Sequence, residues 1–449
     1  MSIKFTNNRN PILPVQYHIP DAEAHVMPDG KLYVYGSFDE SSEVFCSEKY
    51  YVLSTENMED WELHDESLNG KNVPWFNNPE YPKYPGIDWS KPTPFIRKMM
   101  EDQDFEVDME KFQKEDKEKP ALLFAPDAIH KNGKYYLYFC MSDESEGVAV
   151  SDKPEGPFEN IVQLPCGGID PAIFIDDDGK SYYYWGQLYS HGVELNDDMI
   201  SFDENKIVHD LVTEEGHFFH EGSSMRKIGD NYYYLYANME RGKPTSLGYS
   251  MSKSPLGPFE YKGIIIDNDG CDPASWNNHG SIEEVNGEWY VFYHRCSRGV
   301  KEYRRLCIEP IEIIEDGTIP EVKMTSQGIG EPFINGEMIF GYQACGLKGK
   351  IFIGIDENGE ELLTNIKHND EAVFRYIRSK TGFNAISFNC RGEGYVEVLF
   401  NEKTVAKGLI KNGLTKIILE KTVLCNKETE LKIIFENPKD LKLMSITII

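Results

Sequence analysis

Asp21, Asp127, Asp170, Glu221 and His279 stand six to nine residues ahead of five turn glycines, Gly30, Gly133, Gly179, Gly229 and Gly287. Their surroundings read I-P-D-A-E-A-H-V, F-A-P-D-A-I-H, G-I-D-P-A-I-F, F-H-E-G-S-S-M and N-N-H-G-S-I. Any one of them could be an ordinary strand-start cap or turn former. Five at matching places ask for another reason. Four carboxyls converging without a basic cluster in these segments raise one another's pKa, which is unfavourable unless used. Two opposed carboxylates suit the hydrolysis of a glycosidic bond: one protonates the leaving oxygen and the other activates water. A third carboxyl beside the acid can keep it protonated near neutral pH.

The glycines belong to a recurring hairpin. Its copies are D-G-K-L-Y-V-Y (29–35), N-G-K-Y-Y-L-Y-F (132–139), D-G-K-S-Y-Y-Y-W (178–185), G-D-N-Y-Y-Y-L-Y (229–236) and N-G-E-W-Y-V-F-Y (286–293). Successive glycines are 103, 46, 50 and 58 residues apart. The last three intervals match a four-stranded propeller blade of roughly 40–50 residues plus loops. The long first interval holds an insertion at about 71–120, rich in Pro and aromatic residues and then charged and helix-like. Its Trp75, Phe76 and Trp89 are expected to cover the pocket mouth or a subunit contact. A second repeat, S-D-K-P-E-G-P-F-E (151–159) and S-K-S-P-L-G-P-F-E (252–260), supplies turns between outer strands, with 55–63 as a divergent copy. The expected fold is all-β, a five-bladed β-propeller. The first strand of each blade lines the channel, so the residue at its start faces the axis.

The chain has 449 residues, enough for two or three domains with real cores. Its formal charge of −29 falls wholly in the first 330 residues, because 331–449 is charge-balanced. So acidic a surface repels phosphate backbones and argues against nucleic-acid binding. No apolar run has the length of a membrane span. The start lacks an apolar signal region, and the nine scattered cysteines contain no C-x-x-C pair. Buried free thiols in a cytoplasmic protein are the expectation. All six Trp precede residue 330, and with the charge shift they put a domain boundary there.

Residues 8–325 resemble glycoside hydrolase family 43. The likeness rests on N-P-I-L-P with I-P-D-A-E-A-H-V, then A-P-D-A-I, I-D-P-A-I-F-I-D-D-D-G-K, H-E-G-S-S-M-R-K and H-G-S-I-E-E-V-N-G-E-W-Y-V-F-Y-H, in that order and spacing. The resemblance implies a propeller that cleaves arabinofuranosides and xylosides with inversion. It implies Asp21 as general base, Glu221 as general acid and Asp170 as the aspartate that tunes the acid. Asp127 and Arg304 become sugar-binding residues of the pocket; Trp75, from the insertion, is expected to add a substrate contact at its mouth. His279 becomes a ligand of an axial calcium or part of a water network. In this sequence Ala22 follows the base where the family has Pro, and Glu23 is a rival base on the same strand face.

Residues 331–449 carry short alternating strands such as G-K-I-F-I-G-I and Y-V-E-V-L-F, expected to form a β-sandwich. This tail resembles carbohydrate-binding module family 6, but it has no Trp for sugar stacking, which favours a structural role. The sequence thus points to release of arabinofuranosyl or xylosyl units from hemicellulose-derived oligosaccharides. A non-catalytic sugar-binding propeller and another propeller glycosidase, such as an arabinanase, are the alternatives. A homo-oligomer is left open.

Overall fold

The computed structural model describes residues 2–88, 91, 93–101 and 120–449. Trp89 lies outside them. Five antiparallel sheets form a ring, here blades I to V. Blade I runs Glu23–Val26, Leu32–Tyr35, Leu53–Thr55 and Asp60–Leu63, with Ile3–Thr6 added at its outer edge. Blade II is Leu123–Lys131, Lys134–Met141, Ser145–Ser151 and Glu159–Gly167. Blade III is Ala172–Ile175, Ser181–Trp185, Tyr189–Glu194 and Val208–Thr213. Blade IV is Phe219–Ile228, Asn231–Asn238, Ser246–Ser252 and Glu260–Asp267. Blade V has three strands, Ser281–Val285, Glu288–Ser297 and Val300–Ile311. The first strands neighbour one another in order, and the ring closes where Ala22 bridges Gly280.

The tyrosines of the hairpin repeat hold the blades in register. Second strands such as Ser181–Trp185 are buried on both faces, because blades pack face to face. A buried tyrosine needs a partner for its hydroxyl. Tyr35 donates to the Pro154 carbonyl at 2.7 Å, Tyr138 to Met199 at 2.6 Å and Tyr184 to Pro255 at 2.8 Å. In each case the acceptor is the turn between the third and fourth strands of the next blade. Two of these acceptors, Pro154 and Pro255, belong to the two P-x-G-P-F repeats. The two sequence repeats are therefore halves of one contact.

The N-terminal segment completes blade V. Asn10 is fully buried, accepts the Ile308 amide at 2.9 Å and donates to the Ile308 carbonyl at 3.0 Å and to Glu309 at 2.9 Å. The Ile12 amide donates to the Leu306 carbonyl at 3.0 Å. Residues 10–13 thus run beside Val300–Ile311 where a fourth strand would lie.

In the tail, six strands form one sheet around a dry core that includes Phe374, Phe388, Val398, Ile433 and Leu443. The run Glu371–Phe400 pairs on both sides with Lys403–Ile448: Ser387 faces Lys416 and Thr447. The tail rests on blades IV and V. Cys345 and Val373 share an apolar cluster with Ile266 and Tyr293, and the Arg298 amide donates to the Ile353 carbonyl at 2.8 Å.

Asn10→Ala leaves the Ile308 amide buried without its acceptor. The expected loss is about 1–3 kcal/mol, measured as a lower urea midpoint with an unchanged m-value. An unchanged midpoint would remove Asn10 from the closure.

Candidate active site

Asp21 and Asp170 sit just before the first strands of blades I and III, both in the left-handed backbone region, with φ of 56° and 57°. A non-glycine residue held there costs on the order of 1–3 kcal/mol. Glu221 is near the start of the blade IV strand, and His279 precedes that of blade V. His279 Nδ1 lies 3.9 Å from Asp21 Oδ1 and 3.8 Å from Asp170 Oδ2. Its ring packs on Gly222, whose φ of +83° and missing Cβ leave room, since an added Cβ would stand 3.0 Å from the ring. These four residues form one group at the channel mouth.

Their environments separate the carboxyls. Asp21 Oδ1 accepts from Arg304 Nη1 at 2.8 Å, and Oδ2 accepts from Ser37 Oγ at 2.7 Å. Burial alone would raise the Asp21 pKa, but Arg304, the His279 and His294 imidazoles and Ser37 outweigh it and hold the carboxyl below its ordinary value. His294 itself is neutral, its pKa lowered to about 3 by burial and Arg304. Its Nδ1 takes the Asp21 amide at 3.4 Å and its Nε2 pairs with the Asn277 carbonyl at 2.9 Å. Arg304 therefore carries the charge effect. Asp170 moves the other way: burial, then the charges of Glu221 and Asp21, push its pKa well above the ordinary carboxyl value. Glu221 Oε2 accepts from Gln187 Nε2 at 2.5 Å, and Oε1 accepts from Asn277 Nδ2 at 3.1 Å. Asp21 is thus pushed toward the ionised form and Asp170 toward the neutral one, and environments that push neighbouring carboxyls apart in this way are what acid–base hydrolysis uses.

Three expected pocket residues have other places. Asp127 is completely buried, bonded to His25 Nε2 at 2.7 Å and to the amides of Ala128 and Ile173 at 2.6 and 2.8 Å. It stands six residues before its glycine where Asp21 and Asp170 stand nine, so it lies about 10 Å deeper along the strand. Trp75 is a core residue: its Nε1 donates to Ser145 Oγ at 2.9 Å and its ring stacks on Phe139 and abuts Gly147. Arg304 is 2% exposed and is committed to carboxylates, its Nη1 to Asp21 at 2.8 Å. Its Nε and Nη2 are bound by Asp39 at 2.9 Å each, and Phe45 covers its face. Glu23, the rival base, lies in the deeper layer, where Arg226 Nη2 binds it at 3.1 Å.

Sequence reasoning missed Asp39, Ser37, His294, Gln187 and Asn277. The one local signal was G-S-F-D directly after the first hairpin. The insertion does reach the site, through a residue not singled out. Phe95, on the helix Pro94–Glu101, sets its ring against His220 at 5.0 Å, next to Glu221.

Calcium takes six to eight oxygen ligands. At His279 the surroundings supply one imidazole, Asp21 oxygens already bound by Arg304 and Ser37, and the Asp170 carboxyl, whose Oδ2 is 3.8 Å from Nδ1. That donor set does not fit a calcium ion. Among the described residues the group with metal-ligand spacing is Glu23, His25 and Asp127, and it does not include His279.

Loss of the Ser37 hydroxyl raises the Asp21 pKa. The acidic limb of kcat/KM, which reports the base in the free enzyme, should therefore move to higher pH in Ser37→Ala. The stability that Asp21 contributes, present above its unfolded pKa and lost as pH falls through the folded one, should shrink as well. A limb that stays in place would remove Ser37 from the base.

Residues 103–319 match the family model for glycosyl hydrolases family 43. A xylosidase/arabinosidase from Thermoclostridium stercorarium is 29% identical over 89% of this chain and 88% of its own length. A beta-xylosidase from Xylanibacter ruminicola is 32% identical over 45% of this chain and 74% of its own. A family 43 beta-xylosidase/alpha-arabinofuranosidase from a compost metagenome, solved with xylotriose in a calcium-free form, superposes with a TM-score of 0.54. It is 26% identical and matches 72% of this chain and 99% of its own. With its propeller and these matches, the chain belongs to glycosyl hydrolases family 43.

Proposed function

We propose that this glycosidase is inverting and removes xylosyl or arabinofuranosyl units from the ends of hemicellulose-derived oligosaccharides. Asp21 deprotonates the attacking water, Glu221 protonates the leaving oxygen, and Asp170 tunes the pKa of Glu221. The observation that carries the reading is the placement of Asp21, Asp170 and Glu221 at the strand starts of three blades, with Arg304 bonded to Asp21 at 2.8 Å and Gln187 and Asn277 bonded to Glu221. Gln187 and Asn277 fix the two Glu221 oxygens, so the acid is aimed before substrate arrives. The names of the relatives support xylosides and arabinosides as the substrate class. For the water to fit, the Asp21 and Glu221 carboxyls should be separated by roughly 6.5–9.5 Å.

The tail, with its likeness to carbohydrate-binding module family 6, is read as structural. Its apolar contact with blades IV and V supports that role, as does its lack of Trp.

Glu221→Ala should lose about 10²–10⁴-fold in kcat/KM on alkyl glycosides or xylobiose and far less on activated aryl glycosides. Equal losses on both would refute the acid role. Proton NMR of the first product should give the anomer opposite to the substrate, and a retained anomer would contradict the mechanism. A panel of aryl xylosides, aryl arabinofuranosides and linear arabinan decides the sugar.

A further inference from the structure

Below the catalytic group the channel holds a second layer of charge. Glu23, Asp127 and Glu283 come from the first strands of blades I, II and V, and Arg226 reaches in from blade IV. Arg226 Nη2 donates to Glu23 Oε2 at 3.1 Å and to the Ala24 carbonyl at 2.7 Å. Its Nε donates to Glu283 Oε2 at 3.2 Å, and its Nη1 to the Met225 carbonyl at 2.8 Å. Every nitrogen of the guanidinium is thus bound. His25 closes the set, bonded to Asp127 at 2.7 Å and lying 3.7 Å from Glu23. Among the described residues, Glu23, His25 and Asp127 have the spacing of a metal-ion site, with ligand atoms within 4.8 Å of one another.

A carboxylate cluster on the axis of a buried channel needs a compensating cation. Elsewhere a divalent ion could supply it; here a side chain does. We infer that Arg226 is a built-in counter-ion that takes the place of a divalent cation on the propeller axis, so that this chain is stable and active without one. The inference stands apart from the choice of substrate. It follows from the disagreement at His279, where the residues do not fit calcium, and from the four contacts of Arg226. It also implies that the layer is one substitution from a metal site. Without the guanidinium, Glu23, His25 and Asp127 retain metal-ligand spacing and lose their cation.

The test is thermal unfolding of purified protein after EDTA treatment, with and without added Ca2+ or Mn2+, beside turnover of an aryl glycoside. Wild type should keep the same Tm and rate in all conditions. Arg226→Met should melt lower in EDTA and recover by about 5 °C when the ion is in hundredfold excess over its dissociation constant. Arg226→Lys should melt between the two and ignore the metals. Wild type that loses Tm or activity in EDTA and regains it with Ca2+ would overturn the inference. So would Arg226→Met that is indifferent to both ions. If that variant does not fold on expression, refolding from urea decides: recovery with the ion alone supports the inference, and failure in both conditions overturns it.

Discussion

The site depends on one guanidinium shared between two buried aspartates. Arg304 gives Asp39 its Nε and Nη2 and gives Asp21 its Nη1. Asp39 also accepts the amides of Arg304 and Cys46, at 3.1 and 3.0 Å. Burial pushes the Asp39 pKa up to about 6 against these bonds, so the group is ionised at neutral pH and anchors the cation. The anchored cation keeps Asp21 charged in a place where burial favours the neutral acid. Without it Asp21 and Asp170 would share one electrostatic fate, and neither role would be assigned.

The channel is therefore layered. At its mouth Asp21 and Asp170 differ because Arg304 is bonded to Asp21, while on Asp170 it only weakly offsets burial. One layer down, burial and the Asp127 charge raise Glu23 to about 7, and burial raises Asp127 to about 7, even with Arg226 present. Each layer is built from strands of several blades, so the ring must close before either forms. That ties the inter-blade tyrosine contacts and the Asn10 closure to catalysis, although none of them touches the site.

Much of this was legible in the sequence because hairpins count residues. Stepping back eight or nine from Gly30, Gly179, Gly229 and Gly287 finds Asp21, Asp170, Glu221 and His279. The shorter step to Asp127 already marked a deeper level, since each strand residue advances about 3.3 Å. The pairing of Arg304 with Asp39 was not legible: the two are 265 residues apart and meet only when blades I and V join. Trp75 shows the opposite limit. Its composition suggested a pocket aromatic, while its position against Phe139 and Gly147 made it core. The Pro-rich run announced an insertion, but which of its rings would face His220 depended on packing alone.

The central claim is that Arg304 splits the protonation of Asp21 and Asp170. Carbon-13 NMR of labelled aspartate carboxyls, assigned with Asp21→Asn and Asp170→Asn, reads it directly. The account predicts that the Asp21 carboxyl titrates below its ordinary value of about 3.9 and that of Asp170 well above it. Asp21 titrating at or above Asp170 would contradict it.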